Sequence, residues 1–299
     1  VIDMKPHPKP EAKAPVGLHG PTLSDAAFRR ITALARREAG LAIGASKSDM
    51  VRTRLARRLR QLGLADFDAY CALIEGPHGA EEIPRFISAL TTNVSHFFRE
   101  AHHFELLRST LIPAFRQQIE RGHPVRIWSA GCANGQEPYS IAMVLAEAGL
   151  TSQKDCRILA TDIDPAVVVF ARSGQYPEHM LSGLAPQMRA DHFRKTDGQL
   201  LIADTLRDLT TFRILNLLRD WPMRGKFDAI FCRNVVIYFD QPTQTRLWRR
   251  FAKILEPGGH LFLGHSERIS PEVEPYFEKA GVTAYRRTAL ENSELKEAV

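Results

Sequence analysis

The stretch IWSAGCANGQEPYSIAM, residues 127–143, runs from the end of an apolar segment through a glycine turn into a helical pattern. A strand that meets a helix through a glycine turn is how nucleotide pockets open. This turn is G-C-A-N-G, however, and lacks the spacing G-x-G-x-x-G. Glu137 and Pro138 follow where a pyrophosphate would need bare backbone amides. An anion at that point repels phosphate and suits a cationic ligand.

Outward from this turn the same alternation repeats. Val125–Trp128, Arg157–Ala160, Thr211–Leu215, Phe227–Cys232 and His260–Leu263 read as short apolar strands, and helical patterns separate most of them. Such alternation predicts a mainly parallel sheet with helices on both faces, a Rossmann-like α/β fold. Ligands in these sheets sit beyond the carboxyl ends of the strands. One segment departs from the alternation. Asp197-Gly198 lies between strand-like flanks in residues 192–202, a hairpin signal, so a small antiparallel β insertion is expected near 190–212.

Upstream the pattern is helical only. Ser24-Asp25 reads as a helix start, and Phe28, Ile31, Leu34 and Ala35 follow at helical spacing. The expected organisation is a disordered tail over 1–20 and a small all-α N-terminal domain over 21–80. A linker over 81–94, the α/β domain over 95–288 and a charged tail over 289–299 complete it. No apolar run approaches the roughly 18 residues of a membrane span. The four cysteines lie far apart without metal-ligand spacing, as expected of reduced thiols in a cytoplasmic protein. The formal net charge is +6, and Arg52, Arg54, Arg57, Arg58 and Arg60 crowd one helix whose apolar face is Val51, Leu55, Leu59 and Leu62. The arginine face opposite reads as a docking surface for an anionic partner.

Three loops fall at strand carboxyl ends: the glycine turn with Glu137, Asp162 after the second strand, and Arg233-Asn234 after the strand Phe227–Cys232. A carboxylate at the position of Asp162 can accept hydrogen bonds from both hydroxyls of a ribose. An adenosine ligand with a positive centre and an amino-acid tail fits this set, and S-adenosylmethionine is such a ligand.

Five stretches, TTNVSHFFRE, WSAGCANGQEPYSIAM, ILATDID, FDAIFCRNVVIYFD and LEPGGHLFLGHSE, occur in the order in which they stand in a known family. Through them the chain resembles the CheR-type chemotaxis receptor methyltransferases over about residues 22–285. The resemblance implies S-adenosylmethionine as cofactor and S-adenosylhomocysteine as product. It implies cofactor contacts at Asn93, Ser95, Arg99, Glu137, Asp162, Asn216, Leu217, Arg233 and Asn234. It implies methyl transfer to glutamate side chains of chemoreceptors, with Arg54, Arg57, Arg58 and Arg60 docking the receptor's cytoplasmic helices. The segment near 193–203 resembles a subdomain that tethers a receptor's C-terminal peptide in some members, and it is short here. Val94 stands where the family usually has an acid, and Gln136 where a second acid is common, which should weaken the local negative charge.

A glutamate carboxylate is ionised at neutral pH and needs no general base, which fits the absence of any evident nucleophile–base arrangement or metal cluster in the sequence. Arg99 and Tyr238 are the candidates for holding the acceptor carboxylate. The expected protein is a monomer without nucleic-acid partner or membrane insertion. Two alternatives stay open at this point: a methyltransferase of the same fold acting on RNA or a small molecule, and a non-catalytic chemosensory module that binds S-adenosylmethionine.

Overall fold

A computed structural model describes residues 21–77, 79–196 and 198–290. The proposed tail over 1–20, Asp197 of the hairpin turn, and the charged tail beyond Leu290 lie outside the described residues. Among the described residues no helix is long and apolar enough to cross a membrane.

Four helices, α1 (Asp25–Ala39), α2 (Ser48–Leu62), α3 (Phe67–Glu75) and α4 (Gly79–Leu90), build the N-terminal unit. Ser24 caps α1 by accepting the Ala27 N–H at 3.0 Å, and Gly40 ends it in the left-handed conformation. The spaced apolar residues Ile31, Leu34, Val51, Leu55, Leu59, Phe67, Tyr70 and Ile74 meet in one buried cluster. The stretch expected as a linker is mostly part of this unit. Residues 81–90 lie in α4, and Phe86, Ile87 and Leu90 are buried in the same cluster. Their helical spacing puts all three on the face turned inward.

The arginine-rich helix α2 is only partly a free surface. Arg58 grips the buried Glu82 of α4 with two hydrogen bonds of 2.6 Å, and Tyr70 donates to the same carboxylate at 3.0 Å. Arg54 donates to the Leu90 carbonyl at 2.5 Å and to Thr92 Oγ1 at 2.6 Å. These two side chains therefore brace the end of α4 and the segment after it. Arg57 and Arg60 are exposed and make no ion pair to a described residue.

Strands β1 (Val125–Ala130), β2 (Cys156–Asp162), β6 (Thr210–Ile214), β7 (Phe227–Cys232) and β8 (Leu255–Leu263) form the parallel part of a seven-stranded sheet. Its order is β6-β2-β1-β7-β8-β10-β9, with β9 (Phe277–Gly281) and β10 (Ala284–Arg287) antiparallel at one edge. Neither β9 nor β10 was expected from the sequence. Along β1, Val125 and Ile127 enter one core cluster while Trp128 and Ala130 enter the other, the period-two alternation of a sheet buried on both faces. The antiparallel insertion is present as β4 (Phe193–Thr196) paired with β5 (Gln199–Ile202). A short strand that sequence reading did not identify, β3 (Gln175–Tyr176), joins as the third. From β1 the chain first winds outward through β2 to β6, then returns to the other side of β1 as β7. The switch point thus lies between β1 and β7, where the ligand crevice of such a sheet opens.

Replacing Arg58 with alanine leaves Glu82 buried and unpaired, so the urea midpoint should fall by an amount equivalent to about 3 kcal/mol. Arg57→Ala should stay within about 0.5 kcal/mol of the parent. Equilibrium urea unfolding of both variants checks the distinction.

Candidate functional site

A cleft of about 890 Å³, the open space at its mouth included, lies over the carboxyl ends of β1, β2 and β7. Asn93, Ser95, Arg99, Glu137, Asp162, Asn216, Leu217, Arg233, Asn234 and Tyr238 all line it. So do Ala39 and Leu41 of the N-terminal unit, which sequence reading did not place there.

The N-terminal unit reaches the cleft because polar contacts hold the two units together. Asn216 donates to the Glu38 carbonyl at 2.7 Å and accepts the Leu218 N–H at 2.9 Å. The Ala42 N–H donates to the Tyr238 carbonyl at 2.8 Å. Asp164 accepts from Ser88 at 2.9 Å and Asn93 at 2.7 Å, while its other oxygen caps the following helix at Ala166 N. At Gly40, with φ of 71°, any other residue would be strained, and its Cβ would come within 2.3 Å of Leu218 Cδ1 and push that side chain aside. Asn93 and Asn216 thus line the cleft with side chains already committed to the seam.

Beneath the cleft lies a buried ionic cluster. Arg233 Nη1 is 3.1 Å from Glu137 Oε2, and Nη2 is 3.2 Å from Glu100 Oε2. The guanidinium also donates to the Arg99 carbonyl and lies 5.7 Å from the centroid of the Phe104 ring. Ser129 donates to the second oxygen of Glu137 at 2.7 Å. Two carboxylates therefore share one guanidinium, and when all are ionised the cluster carries a net negative charge. Glu137 is not a free anion facing the ligand. Gln136 turns away from the cleft toward the Met180 carbonyl, so an amide at 136 does not alter the charge of the cleft.

Burial pushes the Glu137 carboxyl up, with Arg233 and Ser129 opposing. At Glu100 burial acts in the same direction. There Arg233 and the His265 N–H outweigh it and hold the carboxyl below its usual range. Burial also raises Asp162, against the Asp164 and Ala133 N–H groups that its two oxygens accept at 3.0 and 2.8 Å. Next to Glu100, burial and Arg233 lower His103 to about 3, so its ring is neutral.

Four of the six described non-glycine residues with positive φ surround this cluster: Phe98, Glu100, Ala133 and Asn234. Phe98 and Glu100 flank Arg99. Left-handed backbone at such residues costs on the order of 1–3 kcal/mol and persists only where neighbours fix it. Here the Phe98 N–H is held by Ser140 Oγ at 3.0 Å, and Glu100 by Arg233. Arg99 is thereby presented at the cleft. Its guanidinium donates to the Val94 carbonyl at 3.0 Å and pairs with no acid among the described residues. Tyr238 lines the same cleft, and its hydroxyl makes no hydrogen bond to another described residue.

Glu267 is a positioning residue that sequence reading passed over. Its buried carboxylate accepts the N–H groups of Asn234 and Val236 at 2.9 Å and of Gly264 at 2.6 Å. It therefore ties the loop after β7 to the loop after β8. The His265 side chain is 71% exposed, yet its backbone N–H, 3.1 Å from Glu100 Oε1, and its Nδ1, 3.5 Å from the same oxygen, both reach the cluster. A glutamate two residues after a histidine, just past an apolar strand, was the available signal for this role.

Residues 93–286 match the family described as "CheR methyltransferase, SAM binding domain", and residues 26–91 match "CheR methyltransferase, all-alpha domain". The "Probable chemotaxis protein methyltransferase" of Rhizobium etli is 46% identical over 256 residues, which cover 84% of this chain and 96% of that protein. The "Chemotaxis protein methyltransferase" of Escherichia coli strain K12 is 44% identical over 268 residues, covering 88% of this chain and 91% of that one. The cleft suits the cofactor in that family description. It combines net negative charge below, a carboxylate at the end of β2, and apolar walls from Leu41, Leu215 and Leu217.

Raised pKa values mean that Glu137 and Asp162 regain protons at a higher pH than ordinary carboxylates of about 4. Each proton removes negative charge from the cleft. Affinity for the cationic cofactor should therefore fall as pH drops through those raised values, while affinity for S-adenosylhomocysteine, uncharged at sulfur, should fall less. Calorimetric titration of both molecules across the acidic range checks the divergence.

Proposed function

The chain belongs to the CheR methyltransferase family, and from its site we propose that it transfers methyl groups from S-adenosylmethionine to glutamate carboxylates on chemoreceptor cytoplasmic helices. The observation that carries this reading is Arg99. It is a guanidinium in the cleft lining, carried between two residues of left-handed backbone and free of any described carboxylate, with the Tyr238 phenol in the same lining.

The bound cofactor supplies an electrophilic methyl group on a positively charged sulfur. Asp162 offers acceptor oxygens for ribose hydroxyls, and the Glu100–Arg233–Glu137 cluster offers net negative charge to the cationic end. A glutamate acceptor is already ionised at neutral pH, so the chain has no proton to remove. Its task is to hold the acceptor in line and keep water out. Arg99 can bind one carboxylate oxygen while its hydrogen bond to Val94 fixes the guanidinium plane. Tyr238 donates a single weaker hydrogen bond. Together they orient the carboxylate without neutralising the oxygen that must react.

Receptor docking on α2 rests with Arg57 and Arg60, the two of the four proposed arginines that remain exposed and unpaired. This reading places the protein in the cytoplasm, acting as a monomer. RNA is a poorer fit as substrate, because Arg54 and Arg58, half of the proposed basic face, are spent on contacts within the chain.

The deciding experiment incubates the protein with methyl-labelled cofactor and receptor cytoplasmic fragments, then treats the product with mild alkali. Release of the label as methanol identifies a glutamyl ester, and alkali-stable label or no transfer refutes it. Arg99→Ala should lower kcat by about 100-fold, the loss expected when a positioning contact is removed, with thermal unfolding unchanged. Steady-state kinetics beside calorimetry separates the two effects.

A further inference from the structure

Behind the cleft, outside its lining, Glu100, His102 and His103 bring one potential ligand atom each within 4.8 Å of one another. The chain spacing had shown no metal cluster, since a carboxylate and two adjacent histidines are not a familiar ligand pattern. The fold makes them converge.

His103 is fully buried. Its Nε2 lies 3.1 Å from the Val282 carbonyl oxygen and 3.0 Å from Thr283 Oγ1. In the tautomer with its hydrogen on Nε2, which donates to the Val282 carbonyl, Nδ1 presents a lone pair. That lone pair faces Glu100 Oε2 at 3.5 Å. Two acceptors thus oppose each other in buried space. His103 Nδ1 and His102 Nε2 are both buried without a hydrogen-bond partner among the described residues. The two rings lie edge to face with centroids 4.2 Å apart.

Opposed acceptors call for a cation between them. The 3.5 Å separation is close to the ~3.3 Å edge of a tetrahedral centre with bonds near 2.0–2.1 Å. The bond from His103 Nε2 to a backbone carbonyl is also the outer-shell contact that orients metal-bound histidines. We propose that Glu100, His102 and His103 bind a divalent transition-metal ion of the zinc class, and that the metal competes with Arg233 for Glu100.

Imidazole nitrogen with carboxylate oxygen selects such ions over magnesium or calcium, which take oxygen ligands. The competition follows from one shared atom. Glu100 Oε2 is also 3.2 Å from Arg233 Nη2, so a metal that takes this oxygen draws it off the guanidinium. Arg233 in turn holds Glu137 and the Arg99 carbonyl at the floor of the cleft. Metal binding therefore weakens cofactor binding, and by linkage the cofactor weakens metal binding by the same factor.

The test titrates the full, untagged chain with Co²⁺ and follows its visible d–d absorption. The wild-type chain should saturate at one site with the intense bands of a low-coordinate ion. His102→Ala should weaken that affinity by at least about tenfold, which even loss of an outer-shell partner can cost, while unfolding at the same temperature as the parent. His102 is only half-buried, so alanine is tolerable there. In parallel, calorimetry should show S-adenosylhomocysteine binding more weakly to the wild-type chain with saturating Zn²⁺, but not to His102→Ala. No Co²⁺ spectrum, or the same spectrum in His102→Ala, overturns the site. Unchanged S-adenosylhomocysteine affinity with Zn²⁺ bound overturns the competition.

Discussion

Arg233, buried between Glu137 and Glu100, is the contact on which the rest of the site depends. A buried guanidinium is tolerable only when its charge and donors are met, and here two carboxylates and a backbone carbonyl meet them. Each partner belongs to a different piece of chain. Glu137 opens the helix after β1, Glu100 ends the segment that leaves the N-terminal unit, and Arg233 follows β7. One side chain therefore sets the distance between the glycine turn, the Arg99 backbone and the switch-point edge of the sheet. Because two acids surround one base, the same contact leaves the cleft negative enough to suit a sulfonium.

A second constraint is the seam between helical unit and sheet. Asn93 and Asn216 line the cleft, yet their side chains bond to Asp164 and to the Glu38 carbonyl. Their hydrogen bonds hold the walls of the cleft in place. The close approach at Gly40 brings Ala39 and Leu41 to the same opening, so the N-terminal unit lines the cleft as well as offering a candidate docking surface. Glu267 performs the equivalent task on the far side by collecting backbone N–H groups from the loops after β7 and β8.

Much of this was legible in the residue order. Strand and helix periodicity are local properties, so the β1, β2, β6, β7 and β8 segments and the insertion could be read directly, as could the approach of Glu137, Asp162 and Arg233 to one sheet edge. The edge strands β9 and β10 and the two-residue β3 were not legible, because pairing with a neighbour defines them more than their own pattern does. Arg54 and Arg58 show the same limit. With no acid close by on their own helix they read as a free basic face, and only packing brings Glu82 and the end of α4 beneath them.

What the sequence determined by itself was the alternation of elements, the carboxyl-end loops, and residue types that favour a cation over a phosphate. What the tertiary structure alone decided was which charges are spent. Glu137 is bonded to Arg233, Arg58 to Glu82, and Arg99 is left without an acid among the described residues, although the sequence offered Glu100 and Glu105 beside it. The reason is physical: a charged side chain acts through whatever lies within a few ångströms, and the two ion pairs join residues 24 and 96 positions apart along the chain.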